Sequence, residues 1–399
     1  MALRRPSDIR KDGPRRRRHG SGADTAEHTP KTWPSSFARS PRDREALVVL
    51  LGLASVTARR LLDLASRVGS ASDCLEAIRN GEGASVNDVE KARSLRSDDI
   101  ARHLEMIGGR FIAVHDAEYP PQLLDLFDPP AGLFVLGRRM DEPHTTVAIV
   151  GARRCSPGGR EMATMIGRTL AETGVCVVSG GAKGIDAAAH RGALSAGGPT
   201  VCVLGSGLDV PYPEEHQRLL AEIAKHGSVV TEYTPGTPAE PFRFPARNRL
   251  VAALARAVVV VEGAAGSGST ITTDHAVDLG REVFAVPGSP ASAVSAVPLG
   301  LIREGATLIR GPEDLLEDLG IASSAGHADA DEAPLALAGV SDAEHRVWDA
   351  LTTSLAPDVL AAETSLPVPA VISALTALEL KSLVRQTGGR YERRQRMRP

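Results

Sequence analysis

Aromatic residues make up only 3% of this 399-residue chain, as two Trp, four Tyr and seven Phe. Extended base-stacking platforms therefore cannot be numerous, and any polymer of nucleotides bound here is held chiefly by its phosphates. Cysteine is equally sparse. Cys74, Cys155, Cys176 and Cys202 show no CxxC spacing, which reads as free buried thiols of a reducing compartment rather than a disulfide or a metal cage. No apolar run approaches the roughly 18 residues of a membrane span, since Leu250–Val261 is short and interrupted by Arg256. No apolar segment follows the basic run Arg15–Arg18, so no secretory signal is expected and the chain is read as cytoplasmic, with no membrane partner. A P-loop of the form GxxxxGK(S/T) is missing, as is any cluster of His and carboxylates at metal-ligand spacing. That leaves no catalytic residue, no metal and no cofactor to predict. A net charge of −3 excludes a wholly basic coat, so a nucleic-acid site has to be a local patch. Lysine occurs six times against 40 Arg. A single Arg therefore carries little weight, and Lys183 carries more.

What the chain does have is a set of short Val-rich segments that run into glycine. VVSGGAKGIDAAAHRGAL (Val177–Leu194) places a glycine-rich turn between a buried-type strand and a helix. Unpaired N–H groups and the positive end of the helix dipole then face whatever sits above the turn, which favours phosphate. VAIVGARR (Val147–Arg154), VCVLGSGL (Val201–Leu208) and VVVVEGAAGSGST (Val258–Thr270) repeat the pattern. Helices are legible between them, notably Gly159–Thr173 and His216–His226. Strands alternating with helices predict an α/β fold, a Rossmann-like doubly wound parallel sheet with ligands in the crevice beyond the carboxyl ends of its strands. All four turns fall on that edge. They gather Gly151, Arg153 and Arg154 from the first strand, and Gly180, Gly181, Lys183 and Gly184 from the second turn. Arg247, Asn248 and Arg249 of FPARNRL, placed just before the helix leading into the Val258 strand, add charge. Asp186 and His190 lie four apart on one helix face and either orient a ligand or brace the helix.

The order VGARR, SGGAKGIDAAAHRGAL, VLGSGLDVPYP, FPARNRL, EGAAGSGSTITT and VPG resembles the DNA-processing protein A (DprA, also called Smf) family. YPPQLLDLFDPPAGLFVLG (Tyr119–Gly137) upstream and LIREGATLI (Leu301–Ile309) downstream extend the resemblance. It implies a Rossmann-like core that forms a homodimer, holds single-stranded DNA by its phosphates in a basic pocket and hands it to the recombinase RecA. Natural transformation and DNA repair are both implied settings, with single-strand-binding protein as a further partner. By position the pocket comprises Arg153, Gly180, Gly181, Lys183, Ser267, Gly268 and Ser269. Three departures stand out. Lys183 replaces an Arg common in the family, which keeps the charge and loses bidentate geometry. Ala152 stands where a Ser is common, and Val297, Pro298, Leu299 and Gly300 stand where Gly and Asn usually precede the LI pair, leaving the 288–300 loop open. A second reading is a nucleotide-binding protein or hydrolase using the same crevice. It would need a carboxylate above the phosphate turn, for which Glu262 is the candidate.

Outside the core at 111–320, residues 1–41 are polar, Pro-rich and basic. They are expected to be a disordered tail, either weakly attracted to DNA or merely solvated. Residues 42–110 read as a small helical domain, related to SAM and helix-hairpin-helix modules, with helices Arg44–Leu53, Val56–Val68 capped by Ser55, and Ser70–Asn80. LASVTARR lacks the Gly that would let amides reach phosphate, so packing is its expected role. A linker spans 321–338. Residues 339–399 read as a winged-helix-like domain, with helices Ser341–Leu351, Pro357–Thr364 and Pro369–Val384 before a glycine hairpin. Its ISALTALEL segment is almost neutral, which points to protein contact or an auxiliary single-strand role rather than duplex reading.

Overall fold

A computed structural model describes residues 32–140, 144–321 and 341–393, apart from 352, 354, 382 and 388. The chain divides into two units, Met1–Ala322 and Ser323–Pro399.

The first unit opens with α1 (Pro41–Leu51), α2 (Ala58–Val68), α3 (Ala71–Arg79), α4 (Val86–Ser94) and α5 (Ser97–Met106). The first four start at a hydroxyl, Ser40, Thr57, Ser70 or Ser85, that accepts from the N–H three residues on, satisfying one of the orphan donors of a helix start. The cap of α2 is thus Thr57 and not Ser55. Ser55 is engaged elsewhere: its N–H donates to Asp88 (2.7 Å) and its Oγ accepts from the Ser85 N–H (3.1 Å). Within LASVTARR the Ala54 and Ser55 amides are taken by the Asp88 carboxylate and only Leu53 is fully buried. Trp33 and Phe37, inside the stretch expected to be a disordered tail, are buried with ring centroids 4.6 Å apart and join the core of α1–α3. Two of the scarce aromatics supply enough apolar area to order that segment. Residues 1–31 of the expected tail and 322–338 of the expected linker lie outside the described residues.

The elements that follow are β1 (Arg110–Ala113), β2 (Gly132–Gly137), β3 (Thr146–Val150), α6 (Pro157–Glu172), β4 (Cys176–Ser179), α7 (Ile185–Ser195), β5 (Thr200–Val203), α8 (Gln217–His226) and β6 (Ser228–Thr231). Then come α9 (Arg243–Leu254), β7 (Ala257–Val260), α10 (Gly268–Asp278), β8 (Glu282–Ala285), α11 (Ala296–Glu304), β9 (Thr307–Leu308) and α12 (Pro312–Asp318). The nine strands lie in the order β1-β2-β6-β5-β4-β3-β7-β8-β9. From β3 to β9 every pairing is parallel, whereas β2 runs antiparallel to β1 and to β6. The sheet is therefore mixed: the expected doubly wound core is parallel, and an antiparallel edge of β1 and β2 is added to it. Its cause lies in the connection after β1, which carries Pro120, Pro121, Pro129 and Pro130 and cannot form the crossover helix that a parallel neighbour requires.

Val residues fill both faces. Val147, Ile149, Val177 and Val259 face a core under α6, α7 and α12. Ala148, Val150, Val178, Val258 and Val260 face the opposite way, with Leu250, Val251 and Leu254 of α9 and Ala276 of α10. Burial on both faces is why these strands read as continuous apolar runs. The connections of β3 wind one way and those of β7 the other, which makes the β3–β7 boundary the switch point of the doubly wound arrangement. Val297–Gly300 is helical, being the start of α11, and Pro298 is tolerated there in the first turn.

The second unit holds α13 (Asp342–Ala350), α14 (Pro357–Thr364), α15 (Val368–Leu380) and the hairpin β10 (Val384–Thr387) and β11 (Arg390–Arg393). Val347, Leu360, Val371, Leu375, Leu378 and Tyr391 form its core, the arrangement of a winged helix.

Candidate functional site

The turns that follow β5, β4, β3 and β7 are neighbours along the carboxyl edge of the sheet. The β3 turn is fastened on both sides: its Ala152 O accepts from the Ile185 N–H (3.2 Å), and its Ala152 N–H donates to Glu262 O (2.7 Å) after β7. Gly184, at φ +81°, backs onto the carbonyls of Ala152 and Arg153 so closely that a Cβ has no space. Glycine is required there on both counts.

The second turn, Gly180–Gly184, is held from inside. Arg247 Nη1 donates to Gly180 O (2.6 Å) and also to Val203 O at the end of β5. His216 Nδ1 donates to Gly181 O (2.9 Å), and the Asp186 carboxylate accepts from the N–H groups of Ala182 (3.3 Å) and Gly180. The N–H groups of Gly181, Lys183 and Gly184 find no partner among the described residues. In a trans peptide the C=O and the next N–H point in opposite directions, so drawing the Gly180 carbonyl inward turns the Gly181 N–H outward. Helix α7 follows Gly184 without a side-chain cap; of its first N–H groups Ile185 donates to Ala152 O and Ala187 to Ala182 O, so the donors left over at Gly181, Lys183 and Gly184 belong to the turn that precedes it.

Of the charged candidates, Arg153 and Arg154 are exposed at this edge, as is Lys183, whose Nζ lies 2.7 Å from Glu215 Oε2. Asn248 Nδ2 donates to Gly268 O (3.1 Å), tying α9 to the last turn. Ser267 and Ser269 share a short hydrogen bond (2.5 Å), with Ser269 buried. Four expected ligands are placed otherwise. Arg249 is buried and reaches Glu232 (2.6 Å) and Asp128 (3.3 Å), away from the turns. Arg247 is 4% exposed and spends itself on two carbonyls. His190 is fully buried, with Nδ1 at 2.7 Å from Thr200 Oγ1. Burial pushes His190 down to about 3, and the charges of Arg247 and His216 add to the shift. Asp186 is also buried; burial pushes its carboxyl up while Arg247 and the turn's N–H groups pull it back. Asp186 and His190 are braces and not ligand contacts. FPARNRL lies within α9 and not before a helix, so helical periodicity turns Arg247 onto the same face as Leu250, Val251 and Leu254.

The sequence reading named no aromatic here, yet four of the thirteen converge beside the turns. Tyr212 and Phe244 have centroids 4.9 Å apart, and the Arg153 guanidinium lies 5.3 Å over the Phe244 ring. Arg243 lies 4.7 Å from the Tyr233 ring centre and 5.0 Å from that of Phe242. Phe242 and Tyr212 are exposed. The signal was available, since Tyr212 and Phe244 belong to the motifs VLGSGLDVPYP and FPARNRL.

Glu262, the carboxylate a hydrolase would need, is bound to the start of α6. Ser156 donates to it through N–H (2.8 Å) and Oγ (2.5 Å), and Gly159 backs against it. Among the described residues no group of three or more His, Cys, Asp or Glu is arranged to hold a metal, and no single helix is long and apolar enough to cross a membrane. Cys74, Cys176 and Cys202 are buried thiols outside any disulfide, while Cys155 is only half-buried.

A family profile described as DNA recombination-mediator protein A matches residues 110–320, and one described as the DprA winged helix domain matches 331–390. The chain is 33% identical over 365 residues to Protein Smf of Escherichia coli (strain K12), covering 89% of this chain and 96% of that one. It is 42% identical over 206 residues to the DNA processing protein DprA of Streptococcus pneumoniae, covering 52% and 73%. The X-ray structure of DNA processing protein A from Streptococcus pneumoniae superposes with a TM-score of 0.60 at 33% identity, covering 70% of this chain and 98% of that one.

Proposed function

Because this chain belongs to the DNA recombination-mediator protein A family, we propose that it is a cytoplasmic, non-enzymatic mediator that binds single-stranded DNA along the crevice. In this reading it works as a homodimer and delivers the strand to RecA, displacing single-strand-binding protein, in transformation or repair.

The observation that carries the proposal is the second turn. The N–H groups of Gly181, Lys183 and Gly184 have no partner among the described residues, just ahead of a helix start without a side-chain cap, and Arg153 and Arg154 stand exposed one strand over. Such a row suits successive phosphates of a polymer better than one mononucleotide. The Tyr212–Phe244 pair with Arg153 above it offers one stacking surface for a base. Binding through phosphates makes affinity nearly independent of sequence and steep in salt, with a slope of roughly −0.7 per phosphate neutralised. The hydrolase reading loses its carboxylate, since Glu262 serves α6.

The test is a titration with single-stranded, duplex and mononucleotide ligands at several salt concentrations, repeated with Arg153→Glu and Lys183→Glu. Each reversal removes an attraction and adds a repulsion beside low-dielectric protein, so binding should weaken by at least about tenfold while the fold survives. Tight mononucleotide binding without polymer preference, or nucleotide turnover by the protein alone, would refute the proposal.

A further inference from the structure

The buried arginine under the second turn has a task distinct from that of the exposed cations. We infer that Arg247 is a positioning residue: it fixes the Gly180–Gly184 peptides in their anion-receiving orientation and touches no phosphate itself. The inference rests on the crevice reading above and assigns one part of that site.

Three observations carry it. First, Arg247 bonds two carbonyls through one nitrogen, Nη1: Gly180 O of the turn and Val203 O at the end of β5, so a single buried guanidinium joins the ends of two strands. A lysine ammonium sits one bond nearer the backbone than Nη1 and stops short of that meeting point. Second, the fit is closed sterically. A Cβ at Gly180 would lie 2.5 Å from both Nη1 and Nη2 of Arg247, so the absence of a side chain at Gly180 is what lets the guanidinium reach the carbonyl. Third, the surroundings fix the charge in place. Asp186 faces Arg247 and accepts the Gly180 and Ala182 N–H groups, while His216 holds the next carbonyl, Gly181 O. The inner donors and acceptors of the turn are thereby used, and the outer N–H groups of Gly181 and Lys183 are left for a ligand. Opposite charges buried beneath the turn, Arg247 and Asp186, act on one another and favour one conformation, where a phosphate-contacting arginine would give counter-charge.

The salt dependence of binding separates these roles. A residue that neutralises a phosphate contributes roughly 0.7 to the slope of log K against log salt on single strands. A residue that only orients peptides contributes none. For oligo-dT binding by the full-length protein, Arg247→Lys and Arg247→Met should each weaken affinity by at least about tenfold, a central loss for a displaced oriented donor set, with the slope unchanged. Gly180→Ala should reproduce the loss with Arg247 still present, which also serves if the arginine variants fail to fold. Arg249→Met controls for destabilisation, because Arg249 is buried on the same helix but bonds Glu232 and Asp128 instead. Measured below its melting temperature, it should bind like wild type. Restored affinity in Arg247→Lys, a slope reduced by about 0.7 in Arg247→Met, or normal binding by Gly180→Ala would overturn the inference. Failure of the wild-type protein to bind oligo-dT would instead remove the crevice reading itself.

Discussion

Lys183 stands in the glycine turn after β4 with its ammonium 2.7 Å from Glu215, both side chains more than half exposed. An incoming phosphate must therefore compete with a carboxylate for this cation. Glu215→Gln should tighten single-strand binding by no more than about fivefold, since exposed ion pairs contribute little, and should steepen the salt slope. The hydrogen bond from Lys183 holds the Glu215 carboxyl below its ordinary 4.5. If DNA takes Lys183 away, that carboxyl returns toward 4.5 and a proton is taken up. Affinity should then rise as pH falls through the window just below 4.5, and the Gln variant should lack this component; identical pH profiles for the two proteins would count against the competition. Residue types and spacing made Lys183 legible as a candidate, because it is one of six lysines and sits in a glycine turn. Its partner was not legible, because Glu215 lies 32 positions away and only the folding of the β5 turn onto the β4 turn brings the two together.

At the scale of elements, strand-turn-helix order could be read from valine and glycine alone, and so could the edge on which the turns fall. Which side of a helix faces the core could not be read where the helix itself was displaced. Placing FPARNRL before its helix made Arg247, Asn248 and Arg249 look like three adjacent exposed cations and amides. Inside α9 they diverge: Arg247 toward Gly180, Asn248 toward Gly268, and Arg249 toward Glu232 and Asp128. Arg249 thus anchors α9 to the residue after β6 and to the loop before β2. Burial disfavours its charge, but Glu232 and Asp128 more than compensate and raise its pKa. Arg249→Met leaves two carboxylates near one another without their cation, and should cost about 3–5 kcal/mol in denaturant unfolding. A loss under about 1 kcal/mol, the value of an exposed pair, would show that α9 is held by its apolar face alone. In the second unit, the outward face of α15 presents Val368, Ile372 and Leu380, which suits contact with protein better than reading of base edges.

For the whole molecule, a net charge of −3 coexists with the exposed cations Arg153, Arg154 and Lys183 at one edge because the sheet sorts its residues by position: the carboxyl edge collects glycine turns and exposed cations, and the faces collect valine. The same sorting places a titratable group where it governs stability. His190 lies fully buried between α7 and β5, its Nδ1 against Thr200 Oγ1 and its Nε2 without a partner. The Thr200 hydroxyl donates to Val177 O (2.7 Å), so it accepts from His190 Nδ1–H, and the neutral ring keeps Nε2 as an unprotonated acceptor without a partner. Protonation would add a charge with no counter-ion beside the charges of Arg247 and His216, which is why the ring is pushed from 6.5 down to about 3. In the unfolded chain this histidine takes its proton below about 6.5, while the folded chain resists until about 3. Stability is therefore intact above 6.5 and is lost as pH falls through that window, at about 1.4 kcal/mol per pH unit. Between pH 6.5 and 5 the loss from this residue amounts to about 2 kcal/mol. His190→Gln keeps a donor for Thr200 and cannot titrate, so urea unfolding should show a shallower acid limb by that amount, even if the variant is less stable at pH 7. An acid limb of unchanged slope would mean that water reaches the imidazole and that the layer between α7 and β5 is more open than the packing of Ala189 and Val177 implies.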